Sequence, residues 1–417
     1  MKFNIKKENK EKEKKQSKKE MINKDTFNAT EVIIIMIITA LFGAFIGSLV
    51  TYFGDKGGFS TYSKELKELI LTYEEITENY LGEIDKEKLL DSGIKGMVNY
   101  LGDPYSGYMD SETAKEFNEK LEGEYIGLGA EISYNTKEKT LTVKKVMEDS
   151  PAQKSNLKEG DLILKVEGKD VKELTLDEIT TIIKGGKVGT TVRLDVSRDN
   201  KDVVVEFRRD KVQLTSVTGE IIEKDKKKVG LVTISIFAKN TYKQFEHVVT
   251  SLQEQGAKYL IIDVRDNTGG YLATVKSIAD MFLDKKDIIF IVEDKEGRTK
   301  HLAKKEKLIE IPTVMLINGS SASSSEVLAA ALNENLNMDL IGTTTYGKGS
   351  VQETKILNSG ATIKYTTEKW LTPTGKSIDD VGISPTVEVE LNEKYYKDPT
   401  RENDNQLQKA IDIVMKK

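Results

Sequence analysis

The sequence contains no cysteine. Thiolate nucleophiles, disulfide frameworks and cysteine-ligated zinc are therefore excluded. It has only two histidines, His247 and His301. There is no H-E-x-x-H helix, and a two-histidine metal site would need both of them. A Ser-His-Asp triad would need one of them in the right place. If the chain is a hydrolase, its general base is expected not to be histidine. Prolines number only six among 417 residues, with 38% hydrophobic residues, so most of the chain can build cores. A formal net charge of -5 lacks the basic excess of a general nucleic-acid binder. The length suggests two or three domains.

Charge is absent from one long run, "VIIIMIITALFGAFIGSLVTYFG", Val32 to Gly54. About 20 apolar residues suffice to cross a bilayer. A lysine-rich tail, residues 1–31, precedes it. Lysines on that side predict a cytoplasmic tail, an uncleaved single-pass anchor over 32–54, and an extracytoplasmic remainder. A cleaved signal peptide fits less well, because "AFIGS" is a poor small-x-small site.

Residues 60–121 read as helical. "ELKELILTYEEITENYL" and "DKEKLLDSGIKGMVNYLGD" place apolar residues three and four apart, with Asp85 an N-cap, and "DPYSGYM" then breaks the pattern. From 122 to 210 the period changes to that of strands, "YIGLGAEISY", "LTVKKVM", "TTVRLDVSR" and "VVVEFRR", with one amphipathic helix, "TLDEITTIIKGG". From 211 to 393 strands alternate with helices, which implies a layered α/β domain with its site just past the strand ends. Residues 394–417 close the chain with a helix.

Three clusters follow strand ends in the α/β region. "DVRDNTGG", Asp263 to Gly270, offers glycine N–H groups as an anion or oxyanion cradle. In "NGSSASSSEVLAAAL", Asn318 to Leu332, five serines crowd a helix start. One caps it, Ser324 or Ser325, and another is a candidate nucleophile. "LIGTTTYGKGS", Leu340 to Ser350, has phosphate-loop spacing at Gly342, Gly347 and Lys348. A phosphate loop needs Ser or Thr after the lysine and a helix beyond it. Here Gly349 follows Lys348, and strands follow that. What remains is a lysine in a glycine frame. Burial lowers a lysine pKa, and a lysine so tuned deprotonates a serine in the Ser-Lys variant of the triad. With histidine scarce, Lys348 is the natural activator.

Together these clusters resemble the carboxyl-terminal processing proteases, or tail-specific proteases, from about Tyr62 to the C-terminus. "LGDPYSGYM", the β-rich module, "DVRDNTGG", "SASSSEVLAAAL", "GTTTYGKGSVQ", "TPTGKSI" and "VGISPT" all occur in that family's order. The resemblance implies an α/β protease core of layered strands and helices with an inserted β-rich PDZ domain. It implies a serine endopeptidase with Ser323 as nucleophile, Lys348 as general base and Gln352 orienting the lysine. The oxyanion hole falls on the N–H groups of Ser324 and of Gly269 or Gly270. Within the PDZ-like module, "GLGAEI" matches a carboxylate-binding turn, so Gly127, Leu128 and Gly129 are expected to take a peptide C-terminus. Protein or peptide substrates with exposed C-terminal tails are the expected partners, together with the membrane, and the terminal helices suggest a homodimer. No metal, cofactor or nucleic acid is implied. Two departures stand out, Ser324 for the family's second alanine in "SASASE" and Thr386 for the aspartate of "GIxPD". The alternatives are a catalytically silent PDZ-bearing scaffold that binds C-termini, and an acyl-transfer or acyl-hydrolase enzyme of similar architecture.

Overall fold

The computed structural model describes residues 14–15, 28–54 and 62–417. The chain falls into two units, residues 1–92 and 93–417. In the first, Ala29–Gly54 is one helix, and its stretch Ala29–Ser48 is long and apolar enough to cross a bilayer. The amphipathic helix Lys64–Asn79 has Ser63 at its N-cap and buries none of its residues.

The second unit is built on a six-stranded sheet. Val217–Lys224 and Lys227–Ile234 form an antiparallel hairpin, and then Tyr259–Asp263, Thr313–Ile317, Leu340–Gly342 and Val387–Glu388 add in parallel. The central strands "YLIID" and "TVMLI" are apolar along nearly their whole length because both faces are covered. Helices Thr241–Glu254, Leu272–Ala279 and Ser324–Leu336 carry the core on one face. The C-terminal helix Asn405–Val414 inserts Leu407, Ala410, Ile411 and Val414 into the other.

That helix is also tied down by charge. Arg265, just beyond the strand Tyr259–Asp263, donates from Nη2 to Asp263 Oδ2 at 2.7 Å and to Asp404 Oδ2 at 2.8 Å. All three side chains are at most 12% exposed. Arg265→Ala leaves two carboxylates buried without their cation. The expected loss is about 3–5 kcal/mol of unfolding free energy, since a broken buried pair leaves charge uncompensated. A urea unfolding midpoint unchanged from the parent would disprove this.

A second sheet pairs Gly107–Met109, Thr362–Leu371, Ile288–Glu293 and Arg298–Leu302, with Ser350–Ile356 also on Thr362–Leu371. Sequence periodicity announced most of these strands but not their gathering into a separate sheet. Between the helix Ser111–Glu122 and the central sheet sits a β-rich insert. A two-stranded ribbon, Glu124–Gly127 against Asp210–Gln213, leads in and out of it. Its six-stranded sheet and the helix Leu176–Lys184 enclose a separate core around Leu141, Ile163, Leu194 and Phe207. A capping box at Thr175 and Glu178 starts that helix, and Gly185 caps its end.

Candidate active site

Three strand ends of the central sheet deliver the three sequence clusters to one place. The loop after Asp263, the turn before Ser324 and the segment after Gly342 all line a cavity of about 950 Å³. Gly269, Gly270, Ser323, Lys348 and Gln352 face it together.

The serine run divides its labour. Ser323, not Ser324 or Ser325, is the N-cap residue, and the helix begins at Ser324. Ser324 Oγ donates to Gly270 O at 2.9 Å, and Ser325 Oγ to Asn267 O at 2.8 Å. Ser321 Oγ donates to Val264 O at 2.8 Å. These hydroxyls therefore bind the Asp263–Gly270 loop instead of capping the helix. Ser323 itself has φ 53° and ψ −114°. A non-glycine residue held at positive φ stores about 1–3 kcal/mol, and such strain gathers at functional sites. It puts the Ser323 side chain at a sharp turn in front of a helix N-terminus, where developing negative charge is favoured.

The glycine pair is required by close approach. A Cβ on Gly269, at φ +110°, would lie 2.9 Å from Ser323 Cβ and 3.2 Å from Ser324 N. One on Gly270 would lie 2.3 Å from Phe237 O. Their amides differ. Gly269 N–H donates to the side chain of buried Asn267 at 2.9 Å. Gly270 N–H and Ser324 N–H make no hydrogen bond among the described residues. Of the two glycines, Gly270 is thus the one with an amide open to a ligand.

Lys348 is fixed at its backbone and open at its tip. Its N–H donates to Glu326 Oε2 at 2.9 Å, and its carbonyl accepts from Trp370 Nε1 at 2.8 Å. Its Nζ lies 4.9 Å from the centre of the Tyr105 ring and forms no salt bridge among the described residues. Burial, joined by the nearby charge of Lys364, lowers its pKa to about 8 against the weaker pull of Asp103 and Glu326. After Lys348 comes the strand Ser350–Ile356, so the helix a phosphate loop requires is absent here.

Gln352 is close by but engaged elsewhere. Its Nε2 donates to Ser350 Oγ at 2.8 Å and to Thr366 Oγ1 at 3.1 Å. The register shift between Val351 and Gln352 puts the extra residue, Thr367, on the partner strand, so Ser350 and Gln352 stay on one side of their own strand and line the cavity with Lys348.

Sequence reasoning passed over Glu326. This wholly buried carboxylate accepts from Ser323 N, Thr345 Oγ1, Gly347 N and Lys348 N. Its spacing three residues after Ser323, the capping-box interval, was the available signal. Among the described residues no three His, Asp or Glu side chains gather as a cation site.

Comparison with known proteins places the chain in a family. The family models for peptidase family S41, a PDZ domain and the activating protease CtpB N-terminal domain match residues 228–389, 125–208 and 51–113. Over 362 residues the chain is 37% identical to carboxy-terminal processing protease CtpA of Bacillus subtilis (strain 168), covering 86% of this chain and 76% of that one. The chain belongs to the carboxy-terminal processing proteases. This serine peptidase is also 35% identical over 328 residues to a probable CtpA-like serine protease of Staphylococcus epidermidis (strain ATCC 12228 / FDA PCI 1200), spanning 65% of that protein's length. Among solved structures, the photosystem II D1 C-terminal processing protease aligns at 25% identity and TM-score 0.46, over 80% of this chain and 88% of that one. The β-rich insert of this carboxy-terminal processing protease is its PDZ domain. Gly127 closes the ribbon strand, and Gly129 takes φ +76° beside buried Leu128, so the turn matching "GLGAEI" lies where the chain enters that domain.

Proposed function

We propose that this peptidase is anchored by the helix Ala29–Gly54 with its catalytic domain outside the cytoplasm, and that Ser323 and Lys348 form a catalytic pair. The observation carrying the pair is Glu326, whose single carboxylate joins the Ser323 turn to the Gly347–Lys348 segment at the wall of one cavity. Neutral Lys348 takes the proton of the Ser323 hydroxyl as Oγ attacks the scissile carbonyl carbon. The carbonyl electron pair moves onto oxygen, held by the N–H groups of Gly270 and Ser324. Gly269 shapes the cradle, while its own amide stays on Asn267. Such donors act on charge that exists only in the transition state, and each is worth about 10²–10³ in rate. The tetrahedral adduct collapses by breaking the C–N bond, and the Lys348 ammonium gives its proton to the leaving amine. Water activated by Lys348 then hydrolyses the Ser323 ester. Gln352 orients the lysine.

In this reading residues 122–210 bind the substrate tail, with Gly127, Leu128 and Gly129 meeting its terminal carboxylate, and 211–393 form the catalytic core. The lysine-rich N-terminal tail and uncharged helix support the anchor and its orientation. Exposed Leu66, Leu69 and Leu71 on an otherwise unburied amphipathic helix support a homodimer.

The test uses the full chain in detergent micelles and a fluorophosphonate probe. We expect the probe to label Ser323, and the protein to cleave an internally quenched peptide bearing a free C-terminal carboxylate. Ser323→Ala should lose both. Cleavage that survives this substitution removes Ser323 from the reaction.

A further inference from the structure

The segment Asp103–Ser106 belongs to the "DPYSGYM" string and lies outside the three strand-end clusters. Asp103 is the acceptor at its centre. Its Oδ1 accepts from Tyr105 N at 3.0 Å. Its Oδ2 accepts from Ser106 Oγ and from Thr366 Oγ1, each at 2.5 Å. Ser106 Oγ in turn accepts from Thr366 N at 3.2 Å. Burial raises the Asp103 pKa, but the hydrogen bonds from Ser106 and Thr366 outweigh it and the net shift is downward. The group is thus a carboxylate that only accepts.

This fixes polarity along a chain of side chains. The single hydroxyl proton of Thr366 goes to Asp103. The Thr366 oxygen can then only accept from Gln352, which must present its NH₂. Ser350 takes the second N–H of the same nitrogen. Gln352 Oε1 is left as the end of the amide with free acceptor capacity, and Gln352 lines the same cavity as Lys348. Reversing any link would turn the NH₂ toward the lysine, and two donors would face each other. The adjacent Tyr105 supports Lys348 Nζ on its ring face at 4.9 Å. Burial first, then the neighbouring Tyr346 hydroxyl and the charges of Asp380 and Asp379, raise the Tyr105 pKa to about 12, so it stays neutral.

We propose that Asp103, acting through Thr366, is a positioning residue that holds the Gln352 carbonyl ready for the Lys348 ammonium, with Tyr105 as the seat of that ammonium. The inference rests on the Ser323–Lys348 reading. The strand Thr362–Leu371 is the physical link, since it pairs with both Ser350–Ile356 and Gly107–Met109.

A double-mutant cycle on the full-length protein in detergent tests it, with the same quenched peptide. Thr366→Val breaks the relay yet leaves Asp103 bonded to Ser106 and Gln352 bonded to Ser350. We expect kcat to fall about tenfold, the worth of one hydrogen bond, with KM unchanged. Thr366→Ser should restore kcat to within about twofold, since it keeps the hydroxyl. In a Gln352→Ala background, Thr366→Val should cost nothing more, because the group it orients is gone. Asp103→Asn, which keeps the shape but puts a donor in the relay, is the second arm and should behave as Thr366→Val does. A thermal midpoint equal to the parent's separates positioning from folding. Parent-like kcat in Thr366→Val, or a full additional loss on top of Gln352→Ala, overturns the relay. Cleavage surviving in Ser323→Ala instead overturns the reading beneath it.

Discussion

Lys348→Met should reduce kcat for peptide cleavage by roughly 10⁴-fold or more, the scale seen when a member of a hydrolytic triad is lost. The substitution keeps the length and apolar bulk of the stem and leaves the backbone bonds of residue 348 to Glu326 and Trp370 in place. What it removes is the amine. The same amine sets the pH profile. A general base must be neutral, and a lysine is neutral above its pKa. Burial first and Lys364 second bring that pKa down to about 8. Cleavage should therefore rise with pH through about 8 and level off above it, gaining about tenfold between pH 7 and the plateau. An unperturbed lysine, at about 10.4, would keep the rate climbing far beyond that. Lys364→Gln removes a like charge, so the ammonium of Lys348 becomes easier to keep and the rise should move to higher pH. A Lys348→Met protein that retains a per cent of parental kcat, or a rise centred near the free-lysine value, excludes Lys348 as the base.

Much of this site was legible because its residues are close in sequence to strong local signals. Glycines and serines just after uniformly apolar strands mark strand ends in an α/β sheet, and with only two histidines in the chain a lysine is the natural base. The bonds between clusters were not legible. Ser324 or Ser325 read as the cap, because local sequence cannot show that Gly270 O and Asn267 O, on a loop more than 50 positions away, lie in place to receive their hydroxyls. Gln352 was legible only through the family resemblance, because its bonds to Ser350 and Thr366 form when Ser350–Ile356 pairs with Thr362–Leu371. Asp103 and Thr366 are 263 positions apart, so their bond exists only once the second sheet has formed. The choice between Gly269 and Gly270 needed the side chain of Asn267, which hydrogen-bonds one amide and leaves the other.

Glu326→Gln should be the most damaging isosteric change in the core. The carboxylate has no exposed surface and receives four hydrogen bonds, two on each oxygen. Oε1 accepts from Thr345 Oγ1 at 2.6 Å and Gly347 N at 2.7 Å; Oε2 accepts from Ser323 N at 2.7 Å and Lys348 N at 2.9 Å. Three of the donors are backbone amides that cannot turn. An amide side chain has one NH₂, and on either side that group meets at least one fixed N–H. Placed toward Oε2 it meets two, Ser323 and Lys348. The carboxylate's charge-assisted bonds are lost at the same time, and so is its attraction to the N-terminus of Ser324–Leu336. A buried donor without an acceptor costs about 1–3 kcal/mol, and hydrogen bonds to a charged group contribute about 1.5–3 each. We expect a loss of about 3–5 kcal/mol, a fall in Tm on the order of 10 °C. Activity should fall further than stability implies. The same carboxylate sets the separation of the Ser323 turn from the Lys348 segment, and a displacement of about 1 Å at reacting groups costs about 10² in rate. Measured well below Tm, where the protein is fully folded, kcat should still be down by about that factor, and Glu326→Asp, one methylene too short to reach both segments, should not restore it. A Glu326→Gln protein with parental kcat at low temperature would mean that Ser323 and Lys348 are held in place by something other than the carboxylate between them.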